Sequence, residues 1–222
     1  MAEKNTLQNQ NIDPHHLDPA LTPDDIANLA AANWDFARRD VARVELPFKL
    51  RMGNPNVQHL LTSQEYIVVR SKEPYNPPAI WEGALKQYTL PKVSEANEVS
   101  VFTVPPDLIT LPAIMNDALE GDPEVMVDAF SKVGEMFKDI ASVYADEGKS
   151  ITSWVNLGDI AFVKGRTEPV ILPPFSLDIH ANGNSPAHSL AAEIFSYPAT
   201  DEQHVLLQEA MQAFEDSYGS SS

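Results

Sequence analysis

The chain has 222 residues, 43% of them hydrophobic, with 32 acidic against 15 basic residues and a formal charge of −17. That length and apolar content give one packed domain or two small lobes sharing a core, and exclude wholesale disorder. So large an acidic excess repels nucleic acid and anionic membranes, and the absence of Cys excludes disulfides and thiolate metal sites. A reducing cytoplasm fits the missing Cys. The polar N-terminus is no signal peptide, and no apolar run is long enough to span a bilayer.

Residues 1–20 are polar, with Pro14, Pro19 and the pair His15-His16, and read as a flexible arm. Adjacent histidines without a carboxylate or Cys framework are better explained as loop residues than as metal ligands. Thr22-Pro23-Asp24-Asp25 is a helix start: a capping hydroxyl, Pro in the first turn, then acids at the positive end of the dipole. Ile26, Leu29, Ala30, Trp34, Ala37 and Val41 follow at helical spacing, which predicts a helix to about Arg43. Arg38, Arg39 and Arg43 are the densest basic cluster; a solvated face pairing with local acids accounts for them better than a phosphate or acidic partner does.

Beyond Glu45 the pattern breaks at Pro47, Gly53 and Pro55. Tyr66–Arg70 is rich in β-branched residues and reads as a strand. Pro74 to Pro78 is a loop, and Ile80, Trp81, Ala84, Leu85, Tyr88 and Leu90 predict a helix of a few turns ending at Pro91. Val99 to Val104 alternates apolar and polar residues as a half-buried strand does. Leu108 to Met115 reads as its partner across the turn Pro105-Pro106-Asp107. Asp122-Pro123-Glu124 starts a second capped helix. Met126, Phe130, Val133, Phe137, Ile140, Ala141 and Tyr144 form one apolar stripe that carries this helix to about Ala145, as core rather than as a cofactor box.

Two apolar runs, Ile160 to Val163 and Val170 to Leu172, flank the polar turn Lys164-Gly165-Arg166-Thr167-Glu168, a β-hairpin signal. The chain leaves through Pro173-Pro174-Phe175-Ser176. Ser185-Pro186 starts a short helix through Leu190, Ala191, Ile194 and Phe195. Thr200 with Gln203 resembles a capping box opening the last helix, and residues 219–222 read as a frayed tail.

Long helix, polar loop, hairpin and a Phe-small-Leu exit resemble the catalytic centre of the protein-kinase-like fold, in its compact Bud32-type and aminoglycoside-phosphotransferase-type members. The resemblance implies an α+β, two-lobed fold: a small antiparallel-sheet lobe of five strands over a short, mainly helical lobe that carries the hairpin. It divides the chain into the arm at 1–20, a helix plus small lobe at 21–115, a helical lobe at 116–218 with the hairpin at 160–172, and the tail at 219–222. Pro112 to Asn116 falls at the hinge, where adenine would meet the backbone. Laying Phe175 on the family's Asp-Phe-Gly puts Pro174 at the metal-binding Asp. Laying Asp159-Ile160 on the Asn-Ile that opens the hairpin puts Trp154 at the catalytic Asp, five residues earlier. An indole cannot accept the substrate proton, and Pro has no metal-binding side chain.

At the end of the Tyr66–Arg70 strand, Arg70 takes the place of the phosphate-holding Lys, with Lys72 two residues on. Arg is not a neutral swap for Lys, and a strand-end surface charge explains Arg70 equally well. Glu82 matches the family's helix Glu that pairs with that Lys; Glu95 and Glu98 fit almost as easily. Asp159 is one oxygen ligand of the kind Mg²⁺ accepts, and Asp178 is a second if the register shifts. Drawing Asp178 with His180 and His188 as a metal cluster competes with reading Asp178 to Asn184 as a turn.

The leading expectation is a non-catalytic, pseudokinase-like binding or scaffolding module whose partner is another protein, not nucleic acid or membrane, in the cytoplasm. The enzyme-class rival is a divergent small phosphotransferase using ATP and Mg²⁺ with Arg70, Asp159 and Asp178. A third reading is an unrelated soluble α+β domain. Substrate, partner and oligomeric state are not legible in the sequence.

Overall fold

A computed structural model of the chain describes residues 21–34, 57–62, 65–71, 83–146, 152–153, 156–173, 177–178 and 186–219. The arm at 1–20 and the segment 35–56, with Arg38, Arg39 and Arg43, lie outside the described residues. The class is α+β, as expected: a small antiparallel-sheet lobe and a mainly helical lobe that carries the hairpin.

Helix α1 spans Pro23–Ala32. The hydroxyl of Thr22 accepts from the Asp25 amide, and the Asp25 carboxylate accepts from the Thr22 amide, so two orphan donors are satisfied reciprocally. Residues 35–43 of the expected helix lie outside the described residues. Asn33 is extended (φ −152°, ψ 94°), and its amide closes the last turn on the carbonyl of Leu29.

Strands β1 (Val57–Thr62), β2 (Tyr66–Ser71), β3 (Lys92–Ala96) and β4 (Val99–Thr103) form one antiparallel sheet in the order β1-β2-β4-β3. Asn97, with φ +52°, makes the tight turn between β3 and β4, a conformation that Asn tolerates better than most residues. Register pairs Ile67 with Phe102, Val68 with Val101 and Arg70 with Val99. Alternation then separates the two faces. Val68, Val99 and Val101 pack under Ile26, Ala27 and Ala30 of α1. Ile67, Val69 and Phe102 pack on the opposite side against the hairpin.

The hairpin is present where the sequence put it, as β7 (Ile160–Val163) and β8 (Val170–Ile171), with Gly165 at φ +83° in its turn. Two expectations upstream of it are corrected. Leu108 to Met115 is not the partner of β4, both of whose edges are already taken by β2 and β3. Only Leu108–Thr110 is extended, as β5, and it pairs with β7. Among the described residues the small sheet has four strands. The remainder opens helix α2, Leu111–Glu120, with Pro112 in its first turn where a missing amide costs nothing. Pro112 to Asn116 is thus helical and is not an extended hinge.

The second correction concerns the helix expected between Ile80 and Pro91. Its described part is a turn at residues 83–85 and one 3-10 turn, Lys86–Tyr88. The spacing of Leu85, Tyr88 and Leu90 serves a different end from a helix face: the first two enter the helical core, and Leu90 enters the sheet–hairpin core.

Helix α3, Pro123–Asp146, follows the predicted stripe, burying Met126, Phe130, Val133, Phe137, Ile140 and Tyr144. It is the spine of the main core. Helix α4 spans Pro186–Phe195 and helix α5 spans Asp201–Gly219. Thr200 and Gln203 form the expected capping box: the Thr200 amide donates to Gln203 Oε1, and the Gln203 amide to Thr200 Oγ1. At Gly134, α5 comes so close that an added Cβ would lie 2.5 Å from the carbonyl oxygen of Phe214. Phe137 meets Phe214 edge-on at 6.1 Å, and Phe214 stacks on Tyr218 at 5.8 Å. Short strands β6 (Thr152–Ser153) and β9 (Leu177–Asp178) pair with each other. No helix among the described residues is long and apolar enough to cross a membrane.

Candidate functional site

The approach to the hairpin is built around Asp159. A 3-10 turn, Leu157–Asp159, leads into β7, and Asn156 caps it. The Asp159 carboxylate, 7% exposed, accepts from the Asn156 amide at 3.2 Å and from its Nδ2 at 2.9 Å, both through Oδ2. Its main-chain oxygen accepts from the amide of Leu172 at 2.7 Å, which ties the entry of the hairpin to its exit. The Leu157 amide donates to Glu193 Oε2 at 2.9 Å, bringing α4 onto the same turn. A buried carboxylate needs such donors, because burial without them costs several kcal/mol (on the order of 2–7 for a polar group). Through Oδ2 the Asp159 carboxylate caps its own turn.

Arg70 ends β2 on the face covered by α1, as its alternation with Tyr66 and Val68 requires. Its Nε lies 3.7 Å from Glu98 Oε2, and the side chain is 29% exposed. That separation exceeds hydrogen-bonding range, and this buried Nε has no hydrogen-bond partner among the described residues. Of the two described acids considered for Arg70, Glu98 is beside it and Glu95 pairs with Lys92 at 2.6 Å; Glu82 lies outside the described residues. Strand register explains this: Glu98 sits in the turn that leads into β4, whose Val99 is opposite Arg70. Lys72 also lies outside the described residues.

Arg70 shares the face of β2 that carries Val68, whereas the opposite face, with Ile67 and Val69, packs with Phe102 and Val104 against Ala161, Val170 and Leu172 of the hairpin that Asp159 precedes. Asp178 belongs to β9, whose pairing puts it opposite Thr152, two residues before Trp154. Ser153 is opposite Leu177 in the same pairing. Trp154, Pro174, His180 and the side chain of Asp178 lie outside the described residues, and so does the side chain of His188. Among the described residues no three His, Asp or Glu side chains are grouped to hold a metal ion.

Two groups in this region escaped the sequence reading. Asn156 had a legible signal, since an Asn three residues before an Asp is a capping box written in sequence. Glu193 had none, because its target is 36 residues away. A groove of about 590 Å³ elsewhere, between α3 and α5, has Val127 and Ala213 in its lining with Glu124, Asp128, Glu209 and Asp216 around them. Lys132 pairs with Asp128, and Gln212 donates to Asp216, so this groove behaves as solvated helix surface.

No protein-family model and no curated protein matches the chain. Among solved structures, a glucosamine kinase aligns with it at a TM-score of 0.46 and 13% identity, over 87% of this chain and 73% of that one.

Proposed function

We propose that the chain is a kinase-like binding or scaffolding module that does not catalyse phosphoryl transfer. One observation supports this reading: Arg70 lies on the face of β2 opposite to the one that packs against the hairpin opened by Asp159. Phosphoryl transfer depends on positioned phosphates and metal-assisted charge stabilisation. Arg70 faces α1 beside Glu98, and the Asp159 carboxylate caps its own turn. Trp154 and Pro174, at the positions of the catalytic and metal-binding Asp in the resemblance, supply neither a base nor a ligand. In this reading the partner is another protein and not nucleic acid, since the charge of −17 opposes a polyanion. The reading places the module in the cytoplasm.

Thermal shift with ATP, with and without Mg²⁺, tests it. The expected result is no magnesium-dependent rise in Tm. A magnesium-dependent rise that Asp159→Asn or Arg70→Met abolished would replace the scaffold with the divergent phosphotransferase, and a measured transfer rate lost in the same variants would confirm the replacement.

A further inference from the structure

We propose that Leu85–Leu90 is a strap that locks the small sheet to the helical lobe, so that the two open as one cooperative unit. This inference rests on packing alone and stands whether or not the kinase-like reading holds.

Over Leu85 to Pro91 the chain is tied to α3, to the hairpin turn, to β8 and to β4. Leu85 and Tyr88, 1% and 4% exposed, are buried in the helical core, and Leu90, 2% exposed, is buried in the sheet–hairpin seam. The Tyr88 hydroxyl donates to Asp139 of α3 at 2.5 Å. The Arg166 guanidinium, in the hairpin turn, donates to the main-chain oxygen of Gln87 at 2.5 Å. Thr89 bridges to Ile171 of β8. One residue past Leu90, the oxygen of Pro91 accepts from Thr103 of β4 at 3.1 Å, and β3 starts at Lys92. The strap is thus pinned to the helical lobe at one end and to the sheet at the other, with no slack between.

A hinge belongs where few buried contacts and few hydrogen bonds oppose motion. Here, separating the layers would expose the seam and break hydrogen bonds that include one from a phenol to a carboxylate, the stronger charge-assisted kind. The other described crossing, from β4 to β5, runs through Pro105-Pro106, whose rings fix φ and stiffen the passage. Both described crossings are therefore stiff, and the seam between them is dry and apolar.

Native-state hydrogen exchange on the full chain, followed across sub-denaturing urea, tests the lock. The amides of β2, β4 and α3 are expected to share one protection ceiling. Tyr88→Phe, which creates no sizeable cavity, lowers all three equally, by roughly five- to tenfold. Val170→Ala, on the hairpin wall, lowers all three equally by roughly ten- to a hundredfold. A ceiling for β2 and β4 below that of α3 in the unmodified protein overturns the proposal. So does a drop in either variant confined to one layer.

Discussion

Ile67 and Val68 are neighbours on β2, both fully buried, yet they face covers of different kinds. Ile67 meets the seam made by the hairpin and the Leu85–Leu90 segment, which is continuous with the rest of the molecule through β5 and the 3-10 turn at Asp159. Among the described residues Val68 shares its cluster with Ile26, Ala27 and Ala30 of the ten-residue α1 and with Trp34 just beyond it. That helix is held from outside the core by its Thr22–Asp25 box and by the hydrogen bond from Ser94 to Asp24. The hairpin side is integral to the fold, while the α1 side is a cover. Arg70 lies on the Val68 side by strand alternation, while Asp159 opens the hairpin on the Ile67 side.

Truncating one side chain on each face sharpens the contrast. Ile67→Ala should cost about 2–5 kcal/mol in urea unfolding, because the seam cannot collapse without moving two layers. Ile26→Ala should fall near the low end of that range, about 2 kcal/mol, since α1 can settle onto the sheet. Equal losses would erase the distinction. Gly134→Ala supplies the reference for the helical lobe. Its Cβ would sit 2.5 Å from the carbonyl oxygen of Phe214, and the overpacking should cost about 3 kcal/mol although Ala favours helix. A stabilised variant would show that α3 and α5 can separate freely.

Thr22→Ala removes the cap of α1 and should cost about 1 kcal/mol, seen as raised exchange in α1 with β2 unaffected. Exchange that rises equally in β2 would make α1 as integral as the hairpin.

The two sides should also fail at opposite ends of the pH scale. Hydrogen bonding from Thr22, side chain first and then main chain, holds the Asp25 carboxyl below its usual range. Its contribution is present above the unfolded value and is lost as pH falls through the lowered folded one. Burial, then the bond to Asp139, pushes the Tyr88 phenol from 10.0 up to about 12. Its contribution is complete below pH 10 and is lost as pH rises towards 12. Unfolding followed from pH 9 to 12 should therefore show a loss that Tyr88→Phe removes, and an unchanged alkaline limb in that variant would assign the loss elsewhere.

Much of the architecture was legible because it is written in local chemistry. The 24-residue α3 shows its apolar stripe, the hairpin its two β-branched runs, and α5 its Thr200–Gln203 box. The misreadings have a common cause. Leu108 to Met115 and Leu85 to Leu90 are short apolar runs that suit strand and helix alike, and the choice was made by partners far along the chain. β5 went to β7 because β4 was already paired on both edges. Leu85, Tyr88 and Leu90 served two cores instead of one helix face. The candidate site was harder to read still. A strand-end Arg and a loop Asp look equally available for phosphate and metal until their faces and hydrogen bonds are known.

What the chain determined by itself is the set of elements: where helices are capped, which stripes are apolar, where turns fall, and that its charge disfavours polyanions. Tertiary structure alone decided which side of the sheet each residue of β2 faces, that Glu98 and not Glu95 stands by Arg70, and that Asp159 is buried where it caps its own turn. The reason is range. Capping and periodicity act over a few residues and leave a pattern in sequence, whereas burial, register and the partner of a buried carboxylate are settled only when distant segments meet.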